Sequence, residues 1–135
     1  MTPVWLGKAV VLAMHGRLLA EHGGTAGLRD EGLLESALAR PQQLHSYGEP
    51  DLCDMAAAYS GGIVRNHPFV DGNKRTGFMS AYVFLAANGL RLTATEVDAV
   101  RVVTLLAASE IDEAEYAAWL RENSVPIPSE ARRGD

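Results

Sequence analysis

The chain of 135 residues contains a single cysteine, Cys53, so no internal disulfide can form. A small buried hydrophobe on a helix is the expected role for that thiol. Long hydrophobic runs are also missing. The longest fall well short of the ~20 residues a membrane span needs. The N-terminus lacks a basic segment followed by an apolar stretch and a cleavage site. These absences together set a cytoplasmic location as the expectation. There is no excess of positive charge: the formal net charge is −5, so no global basic field invites nucleic acid. Histidine is sparse, and His15, His22 and His45 have no carboxylate or cysteine at ligand spacing, so no structural metal site is expected. No repeat and no second domain is visible.

Helical signals dominate what is present. Val4, Leu6, Val10, Val11, Met14, Leu18 and Leu19 recur at helical spacing, and His22-Gly23-Gly24 should end that helix. Asp30 opens a short helix carrying Leu33, Leu34, Ala37 and Leu38, which Pro41 is expected to stop. The polar stretch from Pro41 to Pro50 then reads as an exposed loop or hairpin flap. Asp51 is placed to cap a helix running through Met55, Ala58, Tyr59 and Ile63. From about Thr76 to Ala87 the apolar residues cover every helical face, which predicts a buried helix ended by Asn88-Gly89. Thr93 with Glu96, and Asp112 with Glu115, have capping-box spacing; Leu92 and Val97 would staple the first. Glu110, Asp112, Glu113 and Glu115 read as a solvated cluster at a helix start. The expected fold is all-α: an orthogonal bundle of about six helices with a short flap hairpin or loop. One domain over residues 1–123 and a flexible tail over 124–135 complete the picture.

The chemistry concentrates in His67-Pro68-Phe69-Val70-Asp71-Gly72-Asn73-Lys74-Arg75-Thr76. A loop opening onto a helix offers free N–H groups and the positive end of a helix dipole, which suits an anion. Gly72 lets the turn reach conformations closed to other residues and lets a phosphate approach the backbone. Lys74 supplies a mobile cation and Arg75 a forked one. Asp71 is a hard oxygen ligand of the kind that holds Mg²⁺ against phosphates. Imidazole exchanges protons near neutral pH, so His67 could relieve a hydroxyl of its proton. Together these groups suit chemistry on a nucleotide phosphate.

This run resembles the signature of the Fic/Doc family, His-x-Phe-x-(Asp/Glu)-Gly-Asn-Gly-Arg-x-x-Arg. His67, Phe69, Asp71, Gly72, Asn73 and Arg75 match in order and spacing. Lys74 replaces the second glycine of the nucleotidyl-transferring members, and Phe78 replaces the final arginine. Both departures resemble the Doc (death-on-curing) branch, whose loop reads Asn-Lys-Arg-Thr, whereas Gly72 is closer to the Fic pattern. Gly27 to Leu38 is similar to the segment before the family's substrate-side flap, and Phe84 to Gly89 to the end of its central helix. The resemblance covers most of residues 1–123.

The resemblance implies a reaction. In the Doc branch the lysine is associated with a reversed ATP orientation that presents the γ-phosphate to the histidine. The product is then a phosphorylated Ser or Thr hydroxyl of a target protein, with elongation factor Tu the implied target. His67 would accept the hydroxyl proton. Asp71 would bind Mg²⁺ or orient the hydroxyl. Asn73 and the loop N–H groups would hold phosphate oxygens, with Gly72 leaving room. Lys74 and Arg75 would neutralise charge during transfer. Arg65 matches an arginine of Doc-like sequences and could reach a phosphate or a loop carbonyl. Phe69 would pack inward to fix the loop, stiffened by Pro68. AMP transfer, and a silent nucleotide-binding module, remain the alternatives. No inhibitory Ser/Thr-x-x-x-Glu-Gly/Asn motif is present. Restraint would come from a cognate antitoxin, an amphipathic helix in an apolar groove lined by residues such as Trp5, Leu6 and Tyr47.

Overall fold

The structure is a computed structural model describing residues 2–128. Six helices follow in order: α1 (Lys8–His22), α2 (Glu31–Tyr47), α3 (Leu52–Asn66), α4 (Asn73–Ala87), α5 (Glu96–Ala107) and α6 (Glu113–Glu122). None is long and apolar enough to cross a membrane. Strand β1 (Leu90–Leu92) pairs antiparallel with β2 (Ser124–Pro126), Arg91 facing Val125. The all-α expectation holds, with this small strand pair added.

Helix α3 is the axis of the bundle. From Cys53 to Val64 all but one of its residues are buried, and its small side chains let neighbours approach closely. A Cβ on Gly62 would lie 3.0 Å from the Ala37 backbone of α2, and one on Gly77 of α4 would lie 2.9 Å from a Val64 methyl. Ser60 closes the α3–α4 crossing by donating to the Gly77 carbonyl at 2.7 Å. Close backbone approach of this kind positions the start of α4 against the end of α3, where the motif lies.

Several local expectations are corrected. Pro41 does not stop α2; the helix continues to Tyr47. An interior proline costs roughly 3 kcal/mol. Leu34, Ala37, Leu38 and Pro41 fall on one buried face, and that burial offsets the missing hydrogen bond. Residues 41–47 are therefore helix, not a flap. The extended segment facing the motif lies earlier, where Leu28 bridges Phe69. Helix α1 starts at Lys8: Val4 is held in an extended segment by the Asn88 amide, which accepts from its N–H at 2.7 Å and donates to its carbonyl at 3.0 Å.

The cap of α5 is Thr95, which accepts from Asp98 N–H, whereas Thr93 turns to the Asn123 carbonyl. Val97 is 82% exposed, so it staples nothing. Strand pairing of Leu92 draws Thr93 out of the helix start. Asp51 and Asp112 cap α3 and α6 as expected, each within a full capping box. Helix α4 buries only part of its circumference; Phe78, Met79 and Tyr82 face a cavity instead. Residues 124–126, expected as the start of a tail, are paired in β2, and the Ile127 N–H reaches the Gly89 carbonyl at 2.9 Å. The rest of that segment, from 129 on, lies outside the described residues.

Candidate active site

The motif is the hinge between α3 and α4. At His67 the backbone turns left-handed (φ 52°, ψ 55°), and its N–H closes on the Ile63 carbonyl at 3.1 Å. A positive φ is uncommon outside glycine, and such strain clusters at functional sites. Pro68 then prevents the helix from continuing. Gly72 turns left-handed again (φ 81°) and α4 begins.

Four anchors fix this loop. The Phe69 ring is 1% exposed, a burial worth ~2 kcal/mol. The buried Asn73 amide accepts from Phe69 N–H at 3.0 Å and donates to the Phe69 carbonyl at 2.9 Å. Arg29 donates from Nε to the His67 carbonyl at 2.7 Å and from Nη2 to the Asn66 carbonyl at 2.8 Å, a cation at a helix C-terminus. His15 of α1 lies flat on Phe69, ring centroids 3.7 Å apart, and its Nε2 is 2.8 Å from the Asp71 carbonyl oxygen.

The Asp71 carboxylate is exposed and anchored. One oxygen accepts from Thr25 N–H at 3.1 Å and the other from Gly72 N–H at 2.9 Å. Those two donors, with Arg75 nearby, hold its carboxyl below the usual carboxylate range. Gly24 gives the carboxylate clearance, since a Cβ there would stand 2.9 Å from Asp71 Oδ2. Among the described residues no side chain caps α4, and its ladder starts with Thr76 N–H on the Gly72 carbonyl. The N–H groups of the first turn are thus directed at an incoming anion.

His67, Asp71, Gly72, Asn73, Lys74 and Arg75 line one cavity of about 760 Å³. Its other wall is apolar: Phe78, Met79 and Tyr82 of α4 face Ala99, Val103 and Ala107 of α5. A polar mouth with an ionised carboxylate, two cations and free N–H groups therefore opens into an apolar groove. This arrangement can bind a polyphosphate and present an imidazole to it. Among the described residues no three His, Cys, Asp or Glu converge. A single carboxylate is what Mg²⁺ uses when substrate phosphates supply its other ligands, so Asp71 fits that ion.

Not every expected residue joins the site. Arg65 points elsewhere: its guanidinium is 3.7 Å from Glu113, which also forms a two-pronged pair with Arg40 at 2.7 and 3.1 Å. Arg65 is thus drawn to α6, not to the loop. Glu113 is correspondingly a half-buried bridge from α6 to α2 and not a solvated charge. The Asn73 amide is consumed by Phe69, leaving its backbone N–H, not its side chain, for a phosphate. Leu6 is buried, Trp5 stacks on Phe84 and meets His45, and neither lines the cavity; Tyr47 stands 79% exposed away from it.

Conversely, His15, Thr25 and Arg29 support the loop and were not expected there. Only His15 left a trace in the sequence: it sits four residues after Val11, on the core face of α1.

Comparison with known proteins identifies the family. Residues 5–85 match the profile of the Fic/DOC family. "Toxin Doc" of Mycolicibacterium smegmatis is 49% identical over 75 residues, 53% of this chain and 57% of that protein. "Protein kinase doc" of Escherichia phage P1 is 36% identical over 83 residues, 61% of this chain and 66% of that protein. The matched stretch thus spans less than two thirds of either relative. With the profile covering more than half of the 135 residues, and His67, Phe69, Asp71, Gly72, Asn73 and Arg75 of the motif leading into α4, the chain belongs to the Fic/DOC family.

Proposed function

We propose that this chain is a Doc-type toxin that transfers the γ-phosphate of ATP to a Ser or Thr hydroxyl of a translation factor, elongation factor Tu being the implied target. The observation that carries the reading is the opening of His67, Asp71, Lys74 and Arg75 onto one cavity at the uncapped N-terminus of α4. The name of the phage relative, a protein kinase, supports phosphoryl over AMP transfer.

In this mechanism the target Oγ–H gives its proton to His67 as the Oγ–Pγ bond forms. The bond from Pγ to the β-phosphate bridging oxygen breaks, and its electron pair leaves with ADP. Lys74, Arg75 and the N–H groups of the first turn of α4 stabilise the charge that spreads over the phosphoryl oxygens. Asp71, kept ionised by Thr25 and Gly72, would hold Mg²⁺. That ion would neutralise phosphate charge when bound. Lys74 places a cation and a four-carbon stem where AMP-transferring relatives leave space.

The apolar groove between α4 and α5 suits a cognate antitoxin whose amphipathic helix would lie beside the loop. Two measurements test the reading. Intact mass of elongation factor Tu after incubation with the chain and Mg-ATP should rise by about 80 Da; a rise of about 329 Da would mean AMP transfer, and no change in that or any lysate protein would remove the activity. Expression of the chain alone should arrest growth, and co-expression with its neighbouring reading frame should restore it. Equal growth in both cases, with soluble protein confirmed, overturns the antitoxin.

A further inference from the structure

We propose that His15, a residue outside the motif and on a different helix, is a positioning residue that holds the Asp71 loop in its working geometry. The proposal rests on Asp71 being the working carboxylate of the site. His15 is buried in α1, and its ring lies 10° from parallel with the Phe69 ring at 3.7 Å. Its Nε2 is 2.8 Å from the Asp71 carbonyl oxygen. A carbonyl oxygen only accepts, so Nε2 carries the hydrogen and donates it. The ring lies under the turn: a Cβ on Gly72 would come 3.5 Å from Nε2.

The consequence for Asp71 is specific. Its two carboxylate oxygens are fixed by Thr25 and Gly72, and its carbonyl by His15. The carbonyl bond sets the orientation of the 71–72 peptide plane, and so aims the Gly72 N–H that anchors the carboxylate. His15 does not line the cavity and acts through Asp71. Removing its donor should let the peptide plane rotate, with the carboxylate following. Phenylalanine would keep the flat contact with Phe69 and lose the donor. Glutamine would keep a donor at the reach of Nε2 and lose the ring.

The test compares the parent with His15→Phe and His15→Gln. In the parent, ¹⁵N NMR should show the ring as the Nε2–H tautomer; the Nδ1–H tautomer overturns the proposal without any variant. Exchange of the Val70 and Gly72 amides, bonded to the Gly27 carbonyl and the Asp71 carboxylate, should accelerate roughly tenfold in His15→Phe while exchange in α3 stays slow. His15→Gln should return it toward the parent. In γ-phosphate transfer, kcat should fall roughly tenfold in His15→Phe with a smaller change in KM for ATP, and His15→Gln should recover it. Parent-like loop exchange in a folded His15→Phe overturns the proposal. A parent that transfers neither phosphoryl nor AMP removes the proposed reaction, and the loop-exchange comparison still decides whether His15 holds the loop.

Discussion

The Asn73 side chain satisfies both backbone groups of Phe69, taking its N–H at 3.0 Å and giving to its carbonyl at 2.9 Å. A signature residue that resembles a phosphate ligand is therefore the clasp of the loop. Aspartate is nearly the same size but has no N–H to give. Asn73→Asp should set an oxygen against the Phe69 carbonyl and cost ~1–3 kcal/mol, with loss of transfer. Chemical denaturation checks this, and unchanged stability would show that the amide pair contributes little.

His67 has an exposed side chain, and its carbonyl and N–H, not its imidazole, serve the fold. His67→Ala should abolish transfer and shift stability by no more than ~1 kcal/mol. Transfer assays beside a thermal melt separate the two effects. A variant as active as the parent would remove His67 as the base.

Lys74 stands in the first turn of α4 at the mouth of the cavity. Lys74→Gly should weaken γ-phosphate transfer and open the site to AMP transfer, at a helix cost of up to ~1 kcal/mol. Label from α-³²P-ATP and γ-³²P-ATP should be compared in parent and variant. A parent that labels its target only from the α position contradicts the phosphoryl reading.

Acid should loosen the protein through carboxylates that the fold holds ionised. Asp98 lies below its usual range because the Trp119 indole N–H donates to it, aided by Arg101, and Asp71 because of Thr25 and Gly72. For a depressed group the unfolded chain takes the proton first. The stabilisation is whole above the unfolded value of ~3.9 and is lost as pH falls through the lower folded value. Asp98→Asn should therefore melt below the parent near neutral pH, and the gap should close on acidification below about pH 4. A gap that stays constant would show that the Asp98 charge is irrelevant.

Elements with strong local chemistry were legible in the sequence. Asp112 announces its cap because its partner Glu115 stands three positions on, and Asp51 because a short carboxylate before a helical pattern is a favoured cap. Asn88-Gly89 ends α4 because Gly89 supplies the positive φ. Pro41 misled because its local penalty is overruled by burial against α3, which no window of sequence contains. Thr93 misled because its competitor, Asn123, is thirty residues away. At the site, the motif residues that face the cavity could be read directly. The clamps could not: Arg29 to His67 spans 38 positions and His15 to Asp71 spans 56. Arg65 was misassigned for the same reason, since Glu113 reaches it only across the packed bundle.

The Asn88 clasp on Val4 and the strand pair that draws Ile127 to Gly89 gather both ends of the described chain at the C-terminal end of α4. The loop sits at the other end of the same helix, about 22 Å away for fifteen residues. A tether placed before Val4 or after Ile127, on a sensor surface or on a fused reporter, would therefore leave the cavity mouth facing solution. Anchoring through either end would keep the motif loop open to approach.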